Sequence, residues 1–141
     1  MKLRDKLKKL LEIDRSANVV ALSAAIGTFI GISPYFGLHT VLGIVVSYVF
    51  NLPIYPVILG VYITNPITIL FIYAFCYKVG LILTDIKVNI SIDWKHLTFH
   101  DMFNNVKEIF IPFFVGTHVV GIVAAFIVYI CVFYIVKKYR R

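Results

Sequence analysis

Residues Gly27–Thr40, GTFIGISPYFGLHT, decide how this chain folds. They lie in a run from Ser16 to Tyr77 that holds no Asp, Glu, Lys or Arg. An uncharged run of that length belongs in a lipid bilayer. Yet Pro34 and Gly37 interrupt it, with Ser33, His39 and Thr40 alongside. Proline removes a backbone donor and turns the residue before it away from helix. A helix broken at membrane depth leaves N–H and C=O groups that lipid cannot satisfy, so protein or a water-filled cavity must. Transporters build midplane binding sites from broken helices of this kind. A plain turn between two short helices at the membrane surface uses the same residues, and both readings stay open.

On the N-terminal side the sequence predicts a helix over 17–33, with Ser16 as its N-cap. Ser23, Gly27 and Gly31 recur four apart, spacing that lets a second helix approach closely in a membrane. On the C-terminal side a helix from about Gly37 to Phe50 carries His39 and Thr40 in its first turn. Asn51-Leu52-Pro53 is a turn signal, and Pro53 and Pro56 suit the first turn of the next helix. That helix runs to about Thr64. Asn65-Pro66 breaks it, and a fourth segment covers Ile67 to Leu83. The pattern of helix, polar-proline break and helix thus occurs twice. Two re-entrant or broken helical blocks whose tips meet would produce it, as would four short helices with ordinary turns.

The flanks differ. Leu3, Leu7, Leu10 and Leu11 recur at helical spacing among Lys2, Lys6, Lys8 and Lys9, which predicts an amphipathic interfacial helix over 1–15. A signal peptide is the rival reading, but the apolar run continues far past Ser23-Ala24-Ala25. Residues 85–109 read as an extramembrane loop with a surface helix. Ile86, Val88, Ile90 and Ile92 alternate with polar residues there. Thr98 and Asp101 form a capping pattern, and Trp94 suits the interface. Residues 110–141 read as a C-terminal transmembrane helix with a basic tail. Its first turn takes Pro112, and its uncharged stretch to Val136 spans roughly 40 Å.

Six of the 14 Lys and Arg fall in residues 1–15 and four in 137–141. Such flanking charge is the positive-inside pattern, and it places both termini in the cytoplasm. A nucleic-acid binder would spread its charge over a folded face, so nucleic acid is excluded. With both ends on one side, the number of crossings is even. The last helix crosses once, so 16–84 crosses an odd number of times: one broken block is a hairpin and the other a net crossing. Cys76 and Cys131 sit in apolar blocks and indicate neither a disulfide framework nor a metal site.

The motifs GxFIGxSPxxGLHT, Asn51–Pro53 and TNPIT at Thr64–Thr68 resemble a prokaryotic membrane family known as domain of unknown function 2062. The likeness covers roughly Leu7 to Tyr134. Members are sometimes fused to glycosyltransferase domains, and the resemblance therefore implies a link to lipid-linked sugars. Where the family often begins with a Ser-Pro-Glu-like sequence, this chain has Ser16-Ala17-Asn18.

The expected fold is all-α and integral to the membrane: two Pro-broken blocks in 16–84, a C-terminal transmembrane helix and amphipathic surface helices. Polar residues inside a membrane are candidate functional residues. Ser33, His39, Thr40, Thr64, Asn65 and Thr68 flank the two breaks, with Pro34, Gly37 and Pro66 making them. Helices that restart after a proline offer N–H groups to phosphate or carboxylate. The structural alternative is that Asn65 caps the next helix and His39 bonds a carbonyl freed by Pro34. His118 reads as a packing residue. No catalytic pair, metal-ligand spacing or cofactor motif is present. Two functions follow. One is a small carrier or lipid-handling protein for an anionic or lipid-linked phosphate, which needs polar groups converging on a cavity. The other is a scaffold for a partner such as a glycosyltransferase, which needs an exposed small-residue seam. Homo-oligomerisation is compatible with both.

Overall fold

The computed structural model describes residues 3–35, 37–65, 67–87 and 99–140, with side chains described for all of these except 3, 4, 7, 10 and 99–104. Among the described residues there is no strand and there are six helices: α1 (Leu3–Leu11), α2 (Ala17–Ile32), α3 (His39–Val49), α4 (Ile54–Val61), α5 (Thr68–Thr84) and α6 (Phe99–Tyr139). The starts follow the sequence signals. Ser16 Oγ accepts from the Val19 amide at 3.4 Å, and Pro53 sits at the N-cap of α4. Pro34 ends α2, leaving Ser33 extended at φ −60°, ψ 150°.

The helix directions follow from which residues face one another. Val57 lies against Gly27 and Val61 against Gly31, so α2 and α4 run parallel. His118 packs on Phe29 while Tyr129 bonds Asn18, so α6 runs antiparallel to α2. The Pro112 backbone meets Gly80 and the Cys76 backbone meets Gly116, so α5 runs antiparallel to α6. From the end that holds α1, α2 therefore runs outward and α3 returns. Then α4 leaves again, α5 continues the same way, and α6 comes back along the whole length.

Both ends of the chain meet at that starting end. The Arg140 guanidinium donates to the carbonyls of Leu11, Ile13 and Arg15. Val20 and Val136 form a small core with Leu11, Ile13 and Tyr55 packed on it. Arg15 reaches Asn51 in the α3–α4 turn at 3.4 Å.

The interior is built from small residues. In α2 the buried positions include Ala21, Ser23, Ala24, Ala25, Gly27, Thr28 and Gly31. The Ser23–Gly27–Gly31 seam is filled by α4, so close that a Cβ on Gly27 would stand 2.0 Å from the Val57 carbonyl oxygen. Large apolar side chains point outward instead: Tyr48 is 88% exposed, Ile82 80% and Phe71 74%. Three buried hydroxyls turn back onto their own helices, whereas Ser47 donates past the end of α3 to Leu52 O. Ser23 donates to Val19 O, Thr28 to Ala24 O and Thr117 to Phe113 O.

Among the described residues one helix, over Asn105–Tyr139, is long and apolar enough to cross a membrane, and only 11% of its apolar window is buried. The surface helix expected within 85–109 and the C-terminal helix expected from 110 are this one helix. Pro112 lies inside it rather than in its first turn. Proline forfeits its own N–H bond and costs about 3 kcal/mol in a helix interior. Here Pro112 is fully buried, with Gly80 of α5 against its backbone. Of the expected extended segment, Ile86 and Lys87 carry no regular structure. Val88, Ile90, Ile92, Trp94 and Thr98 lie outside the described residues, as does Pro66.

Candidate functional site

The broken end of α2 shows why the polar residues stand where they do. A helix C-terminus leaves carbonyls without intrahelical partners. Side chains bond three carbonyls at this end, of which Phe29 O also accepts from the Ser33 backbone amide at 3.0 Å. Phe29 O accepts from Ser33 Oγ at 2.7 Å. Gly31 O accepts from Thr64 Oγ1, at the end of α4, at 2.9 Å. Ser33 O accepts from His39 Nε2 of α3 at 2.9 Å and from Tyr73 Oη of α5 at 3.3 Å. Four helices are thus tied together at one backbone terminus.

The second break is capped from within. Asn65 Oδ1 accepts from the amides of Ile67 and Thr68 at 3.0 and 2.9 Å. The Asn65 amide in turn donates to Thr68 Oγ1 at 3.0 Å. This reciprocal pair is a capping box for α5.

The two breaks meet. His39, Thr40, Thr64 and Asn65 line a common cleft of about 190 Å³ with Val61, Tyr62 and Ile69. Ser33 and Thr68 stand behind it, committed to their caps. Gly37 makes the return turn at φ +76°, where glycine is the residue without strain, and a Cβ placed there would meet nothing within 4 Å.

The cap bonds determine what the cleft presents. Ser33 O can only accept, so His39 carries its proton on Nε2 and its Nδ1 is a lone pair in the neutral ring. The amides of Ile67 and Thr68 can only donate, which fixes the Asn65 oxygen on them and, among the described residues, leaves both Nδ2 hydrogens over. Thr40 adds a hydroxyl. The cleft therefore offers amide and hydroxyl donors beside one titratable nitrogen. Among the described residues no three His, Cys, Asp or Glu side chains gather to hold a metal.

The cleft also has a depth. Gly121 of α6 stands opposite Phe29 and Ile32 in the last turn of α2. It is two residues from Val123, the middle of the uncharged stretch Phe110–Val136. The break of α2 therefore lies within a turn of the midpoint of that stretch.

The family description "Uncharacterized protein conserved in bacteria (DUF2062)" matches residues 2–141. The chain belongs to this family. No curated protein and no solved structure matches it.

In this DUF2062 chain, sequence reasoning located both breaks and missed Tyr73. Its hydroxyl is one more polar group in the uncharged run, but nothing local shows that it reaches Ser33 across 40 positions. His118 is a packing residue: its ring meets Phe29, Tyr35 and Phe114, and its Nδ1 donates to Phe114 O at 2.8 Å. Pro34–Gly43 and Pro112–Gly121 each carry a proline, two aromatics and a Gly-x-His, but the two stretches differ in geometry. Gly37 makes a turn, whereas Gly116 lies inside α6 against Cys76.

Proposed function

We propose that this protein is a multi-pass membrane protein that handles an anionic or lipid-linked phosphate at the cleft between its two breaks. One observation carries the reading: four polar side chains from two separate segments, His39 and Thr40 at the start of α3 and Thr64 and Asn65 between α4 and α5, converge near the middle of the apolar length of α6. Large apolar side chains outside and small ones inside are the arrangement expected where lipid is the solvent. An apolar groove of about 450 Å³ lies beside the break, lined in part by Ile32, Ile63, Phe71 and Phe75, and would take a lipid tail. The scaffold reading has less support, because its Ser23–Gly27–Gly31 seam is already covered by α4.

In this reading α2–α3 is the hairpin, α4 and α5 together make one crossing, and α6 makes the other. Both termini are cytoplasmic, where the Lys and Arg cluster. With Cys76 and Cys131 replaced, Asp5→Cys and Tyr139→Cys are expected to resist an impermeant thiol reagent added outside intact cells. Lys95→Cys is expected to react. Labelling at position 139 from outside would overturn the topology.

Binding tests the site. Purified protein in nanodiscs is expected to bind dihexyl phosphate, a single-charge phosphodiester, and not its neutral analogue trihexyl phosphate. Thr40→Val removes a donor that no cap uses, and a hydrogen bond to a charged group is worth about 2 kcal/mol. Affinity should fall by roughly tenfold or more. Unchanged affinity in Thr40→Val, or equal binding of both esters, would remove the anion site.

A further inference from the structure

We propose that an anion enters this cleft together with a proton held on His39 Nδ1, so that occupancy of the site is coupled to proton uptake. The inference rests on the anion-site reading above and adds the source of the neutralising charge. No Lys or Arg occurs from Ser16 to Tyr77, so none of α2, α3, α4 or the first half of α5 carries a fixed cation to the cleft. An anion brought to the middle of a low-dielectric layer without a counter-charge is strongly disfavoured. Neutral donors on Asn65 and Thr40 orient an anion but do not cancel its charge.

His39 can cancel it. Its Nε2 hydrogen is committed to Ser33 O, which leaves Nδ1 as the ring atom that gains or loses a proton. With Nδ1 bare, the ring presents a lone pair, which repels an anion. With Nδ1 protonated, it presents a positive donor. Of the titratable groups on the elements around His39, Tyr62 lines the cleft and Tyr73 shares the Ser33 carbonyl with it, while Tyr35, Tyr48, Tyr55, Cys76, Tyr77 and Lys78 stand elsewhere on the same segments. From α6 comes His118, whose ring packs against Phe29, Tyr35 and Phe114. The balance is one anion and one proton in, and an uncharged pair in the cleft. A cleft that opens alternately to the two sides would in this way move an anion and a proton together.

The test uses the full chain in nanodiscs with dihexyl phosphate, whose own charge is constant between pH 5 and pH 8, so any proton taken up is taken up by the protein. Calorimetry in two buffers of different ionisation enthalpy measures that uptake. NMR of the labelled histidine rings locates it. Wild type is expected to take up a proton on binding, with the His39 ring signal changing to that of the doubly protonated ring when the ester is added. Affinity should fall as the pH rises, by at most about tenfold per pH unit. His39→Gln keeps an amide donor for Ser33 O but cannot take a proton. It should bind weakly, with no pH dependence and no uptake. His118→Gln should behave as wild type. Binding with no proton uptake, or with uptake unchanged in His39→Gln, overturns the coupling and leaves the anion site standing. Absence of binding at every pH removes both.

Discussion

Gly116→Ala and Gly80→Ala are each expected to part α5 from α6 and to cost about 3 kcal/mol or more. A Cβ on Gly116 would stand 1.8 Å from the Cys76 carbonyl oxygen, and one on Gly80 would stand 1.7 Å from that of Pro112. Both obstacles are backbone, so no side-chain rotation relieves them and one helix must move. The two glycines guard the same contact, and once the helices have separated the second methyl adds little. The double variant should therefore lose much less than the sum of the single losses. Gly37→Ala is the control. Its φ of +76° costs an L-residue about 1 kcal/mol, but nothing lies within 4 Å to be displaced. Thermal unfolding in detergent, followed by the helical circular dichroism signal, separates the cases. Losses at Gly80 and Gly116 no greater than at Gly37 would mean that α5 and α6 are not in backbone contact.

These glycines also mark the boundary of what the sequence discloses. The α2–α4 contact was legible because Ser23, Gly27 and Gly31 are spaced four apart on one helix, a pattern that states its purpose without its partner. The α5–α6 contact has a single glycine from each helix at its centre. Its register exists only once Cys76, Gly80, Pro112 and Gly116 are brought together. Pro34, Asn51-Leu52-Pro53 and Asn65 announced breaks because each stands where a helix ends for local reasons. Pro112 misled for the complementary reason: a proline inside a helix is held there by its neighbours, here by Gly80, and no local signal distinguishes it from a proline in a first turn. The cleft was half legible. Its residues stood out as polar groups in an uncharged run, but their division into caps and spare donors depends on bonds such as Tyr73 to Ser33 and Thr64 to Gly31.

Asn65→Leu is expected to destabilise the protein far more than Asn18→Leu, by about 3 kcal/mol against less than about 0.5 kcal/mol. The side chain of Asn65 holds the amides of Ile67 and Thr68. Leucine matches its size and returns neither bond. In water, solvent would take over the two amides, and losing a cap costs about 1 kcal/mol. Asn65 and these bonds are exposed on the protein itself, so the contrast rests on the proposed membrane setting, where lipid offers no such substitute and the desolvation of both amides is felt. Asn18 lies exposed at the end where the chain termini meet, and it only accepts a 3.4 Å bond from Tyr129. Its replacement leaves no buried donor behind. Melting temperatures in detergent should therefore differ by on the order of 10 °C between the two variants. Asn65→Asp keeps the accepting oxygen and should retain most of the fold. It also sets a negative charge in the cleft, which should abolish binding of dihexyl phosphate while the protein stays folded. Equal, small losses in both leucine variants would place Asn65 at a water-exposed turn, and the cleft would then be a surface feature rather than a site within the membrane.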